Sequence, residues 1–244
     1  MNAYSISTWQ NPMCGRYSYT GNPNHVTTRL GIKSVPSEPR YNIAPGQHAV
    51  VVRSVEGHRP ALDKLQWGLI PFWAKDPSIG FKTINARSEK AASTASFRAP
   101  LRYRRCLVLV DSFFEWKKYG REKQPWRLLM KDESTFAVAG LWDHWNRPDG
   151  AVLETFTILT TMANSLVSDI HDRMPVILPH TSWEIWLDQN VNMPASIQPF
   201  LQSFPADQMK THPVADRVNR VSNDDPSCIL PVEPPPQQQD LLSM

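Results

Sequence analysis

A chain of 244 residues, 41% hydrophobic and with 9 tryptophans, can bury one sizeable core, and its formal net charge of only +3 excludes a globally basic protein, so that any nucleic-acid surface must be a local patch. Three cysteines, at 14, 106 and 228, form no C-x-x-C pair and leave one over in any disulfide scheme, the usage expected in a reducing compartment. No apolar run approaches the ~18 residues of a membrane span and Met1 to Pro12 lacks the basic start and apolar core of a signal peptide, so the expectation is a soluble cytoplasmic monomer, nuclear if the source is eukaryotic.

In chain order, Met1 to Pro12 is polar and unpatterned, and is expected to be a disordered leader or translation from an upstream start. Gly15 to Tyr19 reads as a strand or extended arm, and His25 to Leu30 as one or two helical turns. Arg40 to Gln47 is a Pro/Gly-punctuated loop, followed by paired strands over Ala49 to Ser54 and Leu62 to Trp67. Gly68 to Trp73 is an apolar, aromatic loop and Asp76 to Gly80 a turn. Asn85 opens a helix running to Phe97. From there the β signal strengthens: Cys106 to Phe114, Trp126 to Lys131, Phe136 to Trp145 and Phe156 to Thr161 are apolar or alternating runs, with Asp132-Glu133-Ser134 as a hairpin connection. Asn164 to Ile170 and Ser182 to Leu187 read as short helices around a strand at Met174 to Leu178, and Pro194 to Phe204 as one more helix. The expected architecture is a single α+β domain over 13–222, an antiparallel, barrel-like sheet flanked by short helices, with a disordered Pro/Gln-rich tail over 223–244.

Nucleotide and metal signatures are missing: there is no P-loop, no G-x-G-x-x-G, and the seven histidines are not spaced as metal pairs, so no cofactor and no metal is expected. The stretch Met13-Cys14-Gly15-Arg16-Tyr17 carries a different chemistry. If Cys14 becomes the first residue, it presents a thiol and a free α-amine two carbons apart. The amine titrates near ~7.7 to 8.0 and a thiol near ~8.5, so both are partly nucleophilic at neutral pH. One aldehyde can then condense with the amine and be captured by the sulfur in a five-membered ring.

The other polar candidates each have a plain alternative. Glu115, in Phe113-Phe114-Glu115-Trp116, is either a functional carboxylate or a solvated or salt-bridged strand end. His171 either acts on protons or hydrogen-bonds the last carbonyls of a helix. Asn85 suits a helix cap, and Cys106 a buried core thiol.

Six motifs in order change the weighing: Met13-Cys14-Gly15-Arg16-Tyr17, Tyr41-Asn42-Ile43-Ala44-Pro45, Trp67-Gly68-Leu69-Ile70-Pro71-Phe72-Trp73, Ile84-Asn85-Ala86-Arg87-Ser88-Glu89, Phe114-Glu115-Trp116 and His171-Asp172-Arg173-Met174-Pro175. Together with His212-Pro213-Val214 and Val218-Asn219 they make the chain, from about Met13 to Asn219, resemble the SOS response-associated peptidase (SRAP) family. The resemblance implies a barrel-like α+β fold and a protein that recognises abasic sites in single-stranded DNA and crosslinks to them through an N-terminal cysteine. It implies that Cys14 forms a Schiff base and then a thiazolidine with the sugar aldehyde. Glu115 then handles proton transfer at the amine, His171 protonates the ring oxygen, and Asn85 hydrogen-bonds near the linkage. By the same resemblance Arg16, Arg87 and Arg173 are phosphate ligands, while Pro45, Trp67, Trp73 and Trp116 stack on bases or wedge the strand, core packing remaining open for the tryptophans. A thiol peptidase built on Cys14 and His171, or a non-catalytic single-strand binder, is the alternative.

Twelve residues precede Met13. While they remain attached, the Cys14 nitrogen is an amide and no thiazolidine can form, so the alternatives are initiation at Met13 followed by methionine removal, which is the favoured expectation, proteolytic or autocatalytic removal of the leader, or a protein that binds without crosslinking.

Overall fold

The computed structural model describes residues 14–21, 24–33, 38–54 and 59–233; the expected leader, 1–12, and the end of the expected tail, 234–244, lie outside the described residues. In chain order the strands are β1 (Tyr17–Tyr19), β2 (Arg40–Ile43), β3 (His48–Ser54), β4 (Pro60–Trp67), β5 (Asn85–Arg87), β6 (Arg105–Val110), β7 (Ser112–Tyr119), β8 (Glu122–Met130), β9 (Phe136–Asn146), β10 (Val152–Met162), β11 (Arg173–Pro175), β12 (Ile177–Leu178) and β13 (Met209–Pro213). The helices are short: α1 (Asn24–Arg29), α2 (Ser88–Ala91), α3 (Arg98–Tyr103), α4 (Ser165–Ser168), α5 (Trp183–Leu187) and α6 (Pro194–Ile197). The domain is α+β, as expected from the sequence.

Strands β4, β3, β6, β9 and β10 close into a ring. A ring with an odd number of strands cannot alternate direction all the way round, and the misfit falls between β10 and β4, which run parallel with Thr155 opposite Gln66 and Phe156 opposite Trp67. The other four joints are antiparallel. β6 is buried at every residue because both of its faces are covered. On β9, a Cβ at Gly140 would lie 2.7 Å from Cys106 Sγ and 2.8 Å from Val108 Cγ2, so a glycine is required there.

The second sheet, in the order β13-β8-β7-β1-β2, is antiparallel throughout. Asp111 turns the chain from one sheet into the other. Its Oδ2 accepts the Thr20 N–H at 2.5 Å and hydroxyl at 2.7 Å, and its Oδ1 accepts the Thr135 hydroxyl at 2.5 Å. The run Cys106 to Phe114, expected as one strand, is therefore split between β6 and β7. Likewise Asp132-Glu133-Ser134 is a turn but not a hairpin: β8 pairs with β7 and β13, and β9 belongs to the barrel.

Three further expectations are corrected. Asn85 does not open a helix; it begins β5, which lies parallel to β10 with Ile158 opposite Asn85, and the helical turns α2 and α3 come later. The loop expected at Arg40 to Gln47 starts as strand β2, whose N–H groups at Tyr41 and Asn42 are accepted by Asp224 Oδ1 at 2.5 and 3.0 Å. The same carboxylate shows that packed chain continues past Asn223: Cys228 is buried and Val232 N–H donates to Pro213 O at 3.0 Å. No helix among the described residues is long and apolar enough to cross a membrane.

Candidate active site and nucleic-acid interface

The register of β1 on β7 places Tyr17 opposite Phe113 and Ser18 opposite Ser112, whose hydroxyls lie 2.6 Å apart. Phe114 N–H donates to Arg16 O at 3.0 Å, which carries the start of the antiparallel pair back along Glu115. The result is one contact: the Cys14 N–H donates to Glu115 Oε1 at 2.5 Å. Both residues are buried, Cys14 at 3% exposure and Glu115 at 2%. Cys14 also has φ 49°, in the left-handed region that side chains avoid.

Burial pushes the Glu115 carboxyl up to about 8; the Cys14 N–H offsets part of this and the nearby Asp172 carboxylate adds to it. Burial, with Glu115 second, pushes the Cys14 thiol well above the ordinary thiol range. A void of about 10 Å³ beside Cys14 is lined also by Ile158 and Pro175, so the cysteine sits where the two sheets meet.

Around this corner, α4 is capped by Asn164 Oδ1, which accepts the Val167 N–H at 2.9 Å, and the His171 N–H closes the helix end on Val167 O at 2.9 Å. His171 Nδ1 accepts the Arg173 N–H at 3.1 Å and lies 2.9 Å from Asp172 Oδ1. Accepting from Arg173 requires a bare Nδ1 and puts the hydrogen on Nε2, whereas donating to Asp172 requires the hydrogen on Nδ1, so the two contacts exclude one another. Arg173 itself is buried, and its guanidinium is taken up by the Glu89 carboxylate and by Thr160 O at 2.7 Å. That geometry makes Arg173 a brace between β11, β10 and α2, with both Nη atoms committed and the buried Nε left without a hydrogen-bond partner. Arg87, one strand away on β5, is exposed, and its charge helps hold Glu89 below the usual carboxylate range, after Arg173. Asn85 is half-buried at the start of β5.

The aromatic loop is fixed at its base. Gly68, at φ 119°, and Gly80 lie back to back, so that a Cβ on Gly68 would meet Gly80 O at 2.7 Å. Trp67 is wholly buried, edge-on to Tyr17 and stacked on Phe156, and donates Nε1–H to Ile84 O at 2.8 Å. Trp67 is thus core and cannot stack on a base. Phe72 (58% exposed) and Trp73 (48%) between the glycines, and Phe81 (53%) just after them, face solvent. Asp143 Oδ2 accepts the Phe72 N–H at 3.3 Å, and Trp145 Nε1 donates to Ala74 O at 2.7 Å. Half-buried Pro45 lies in the adjoining turn, where a Cβ on Gly46 would be 3.9 Å from the Phe81 ring.

Arg16 is committed on one side. Its Nη1 donates to Asn42 Oδ1 at 2.9 Å and Val218 O at 2.5 Å, and its guanidinium lies 6.0 Å from the Trp116 ring centre. Half-buried Trp116 donates to Asn219 Oδ1 at 2.7 Å.

The backbone superposes on a crystal structure of a Bacteroides thetaiotaomicron protein with a TM-score of 0.81 and 28% identity, over 90% of this chain and all of that one. The family model described as SOS response associated peptidase (SRAP) matches residues 13–221. The chain belongs to the SRAP family. Among SRAP relatives, the abasic site processing protein YoqW of Bacillus subtilis is 41% identical, covering 89% of this chain and 99% of its own. The abasic site processing protein YedK of Escherichia coli is 32% identical over 90% of this chain and all of its own length. The abasic site processing protein HMCES of Gallus gallus is 35% identical, covering 80% of this chain and 67% of its own.

In this SRAP chain the contact between Cys14 and Glu115 joins the first motif to the fifth, across 101 positions. Sequence reasoning overlooked Phe72 and Phe81 as exposed rings and Asp143 as the anchor under them. Phe72 stood in a quoted motif, but an aromatic residue beside two tryptophans carries no signal of which rings face out.

Proposed function

We propose that the protein captures abasic sites in single-stranded DNA as a covalent thiazolidine, with Cys14 acting as its first residue, and so shields the lesion during the DNA damage response. The observation that carries this reading is the 2.5 Å contact between the Cys14 nitrogen and Glu115, supported by relatives named abasic site processing proteins.

An abasic deoxyribose opens to an aldehyde at C1′. Burial raises the Glu115 carboxyl and the adjoining ammonium draws it back down, so it is a carboxylate that takes a proton from the ammonium and returns it to the hydroxyl that leaves as water. The resulting Schiff base places C1′ within reach of the thiol on the same residue. Sulfur adds to C1′, the thiol proton passes to solvent through Glu115, and the ring closes; aldehyde plus cysteine gives thiazolidine plus water. A thiol held protonated by burial suits this order, amine first and sulfur second. It disfavours the thiol-peptidase reading, which needs a thiolate and a base on it, and no hydrogen bond joins Cys14 Sγ to His171 among the described residues. His171, in the tautomer that accepts the Arg173 N–H at Nδ1 and so carries its hydrogen on Nε2, serves as the donor to the sugar ring oxygen. Phosphates are held by Arg87 and the open side of Arg16, and bases by Trp73, Phe72, Pro45 and Trp116.

The test compares a chain beginning at Cys14 with one retaining the upstream residues, each incubated with abasic single-stranded DNA and run on a denaturing gel. A heat-resistant adduct is expected from the first and none from the second; an adduct from the second, or from Cys14→Ala, overturns the mechanism.

A further inference from the structure

The β7–β8 hairpin carries Glu115 and Trp116 at its root and a block of positive charge at its tip. Lys117, Lys118, Arg121 and Lys123 fall within seven residues, interrupted by one acid, Glu122. None of the four forms an ion pair among the described residues. The register sets Lys118 directly opposite Lys123, on the face that also bears Trp116 opposite Pro125. Like charges directly opposed weaken a strand pair. On the other face, Lys117 Nζ lies 5.9 Å from the Tyr119 ring centre and 5.7 Å from that of Trp126, and Gly120, at φ 60°, makes the tight turn. A merely solvated hairpin gains by pairing opposite signs across its strands; this one opposes two lysines in a chain whose whole net charge is +3.

We propose that this hairpin is a phosphate-binding arm that grips the backbone of the DNA strand flanking the lesion. At ~3.3 Å per residue, Lys118 lies about 10 Å along β7 from Glu115. That is too far to touch the reacting sugar and near enough to meet its neighbouring phosphates. The inference rests on the reading of Cys14 and Glu115 given above, because that site is what brings a strand to the arm's root.

The test is a variant of the chain beginning at Cys14 and otherwise entire, Lys118→Gln with Arg121→Gln and Lys123→Gln, all exposed positions. Affinity is measured with a long intact single strand against salt, and adduct formation with a short abasic oligonucleotide that spans only the lesion. Long-strand affinity is expected to fall roughly tenfold at moderate salt, and the slope of log K against log salt to fall by up to about 2, at ~0.7 per phosphate. The short oligonucleotide should react as in the wild type, and Lys118→Arg with Lys123→Arg should bind like the wild type. Unchanged long-strand affinity, or a loss with an unchanged slope, overturns the arm. If the long strand behaves as expected but no protein forms an adduct, the arm stands as a nucleic-acid contact and the Cys14 reading fails.

Discussion

At the β1–β7 corner, Cys14 and Glu115 are buried and aligned by main-chain register, whereas Phe72 and Trp73, between Gly68 and Gly80, and Phe81 just beyond face solvent on a loop held through its backbone. Burial is what moves the Glu115 carboxyl into the range of an amine, so the corner's chemistry depends on excluding water. The loop's use depends on the reverse, since a ring already packed has no face left for a base. Trp67 and Trp73, six positions apart, divide these roles: the first is core, edge-on to Tyr17, and the second is exposed.

Truncating Trp67 to alanine should give the largest effect on the fold, a loss of about 3–5 kcal/mol in chemical denaturation. A loss below ~1 kcal/mol would erase the distinction between the two tryptophans. Next comes Glu115→Gln. The folded carboxyl at about 8 lies above the unfolded value of ~4.3, so its contribution is fully present below that value and is lost as pH rises toward 8. With the upstream residues attached, the glutamine variant should therefore be the more stable protein at pH 8, by on the order of a few kcal/mol, and match the wild type near pH 4. A chain starting at Cys14 supplies an ammonium that pairs with the carboxylate, and there the advantage should shrink. Melting temperature against pH reads both.

Trp73→Ala should weaken single-strand binding by about 1–3 kcal/mol, the worth of a stacked base, without moving the melting temperature. A shifted melting temperature with unchanged binding would return Trp73 to the core. The smallest effect is expected from Arg87→Ala, a salt slope lowered by about 0.7. An unaltered slope would take Arg87 out of the phosphate set.

Much of the barrel was legible because β3, β4, β9 and β10 are long apolar or alternating runs whose pattern is local. What was not legible depends on distant partners. β2 exists because Asp224 caps its edge and β1 pairs with it, and neither is visible at Tyr41-Asn42-Ile43. Asp111 splits an unbroken apolar run because three oxygen and nitrogen donors, from Thr20 and Thr135, converge on it. At the site, residue types suggested a nucleophile and a carboxyl, but their contact, the burial that shifts Glu115, and the capture of Arg173 by Glu89 follow from sheet register. No local pattern encodes which arginine is a brace and which is free.

The left-handed backbone at Cys14 has a consequence for what can be attached to its nitrogen. The angle φ is measured from the carbonyl carbon of the preceding residue, so a first residue has none. An L-residue held there by an upstream peptide bears about 1–2 kcal/mol of crowding. Cleaving the bond before Cys14 removes that crowding along with the acyl group. Returning any acyl group, an acetyl as much as a peptide, restores the crowding beside a buried carboxyl. The corner thus holds a strained backbone at the nitrogen that faces Glu115.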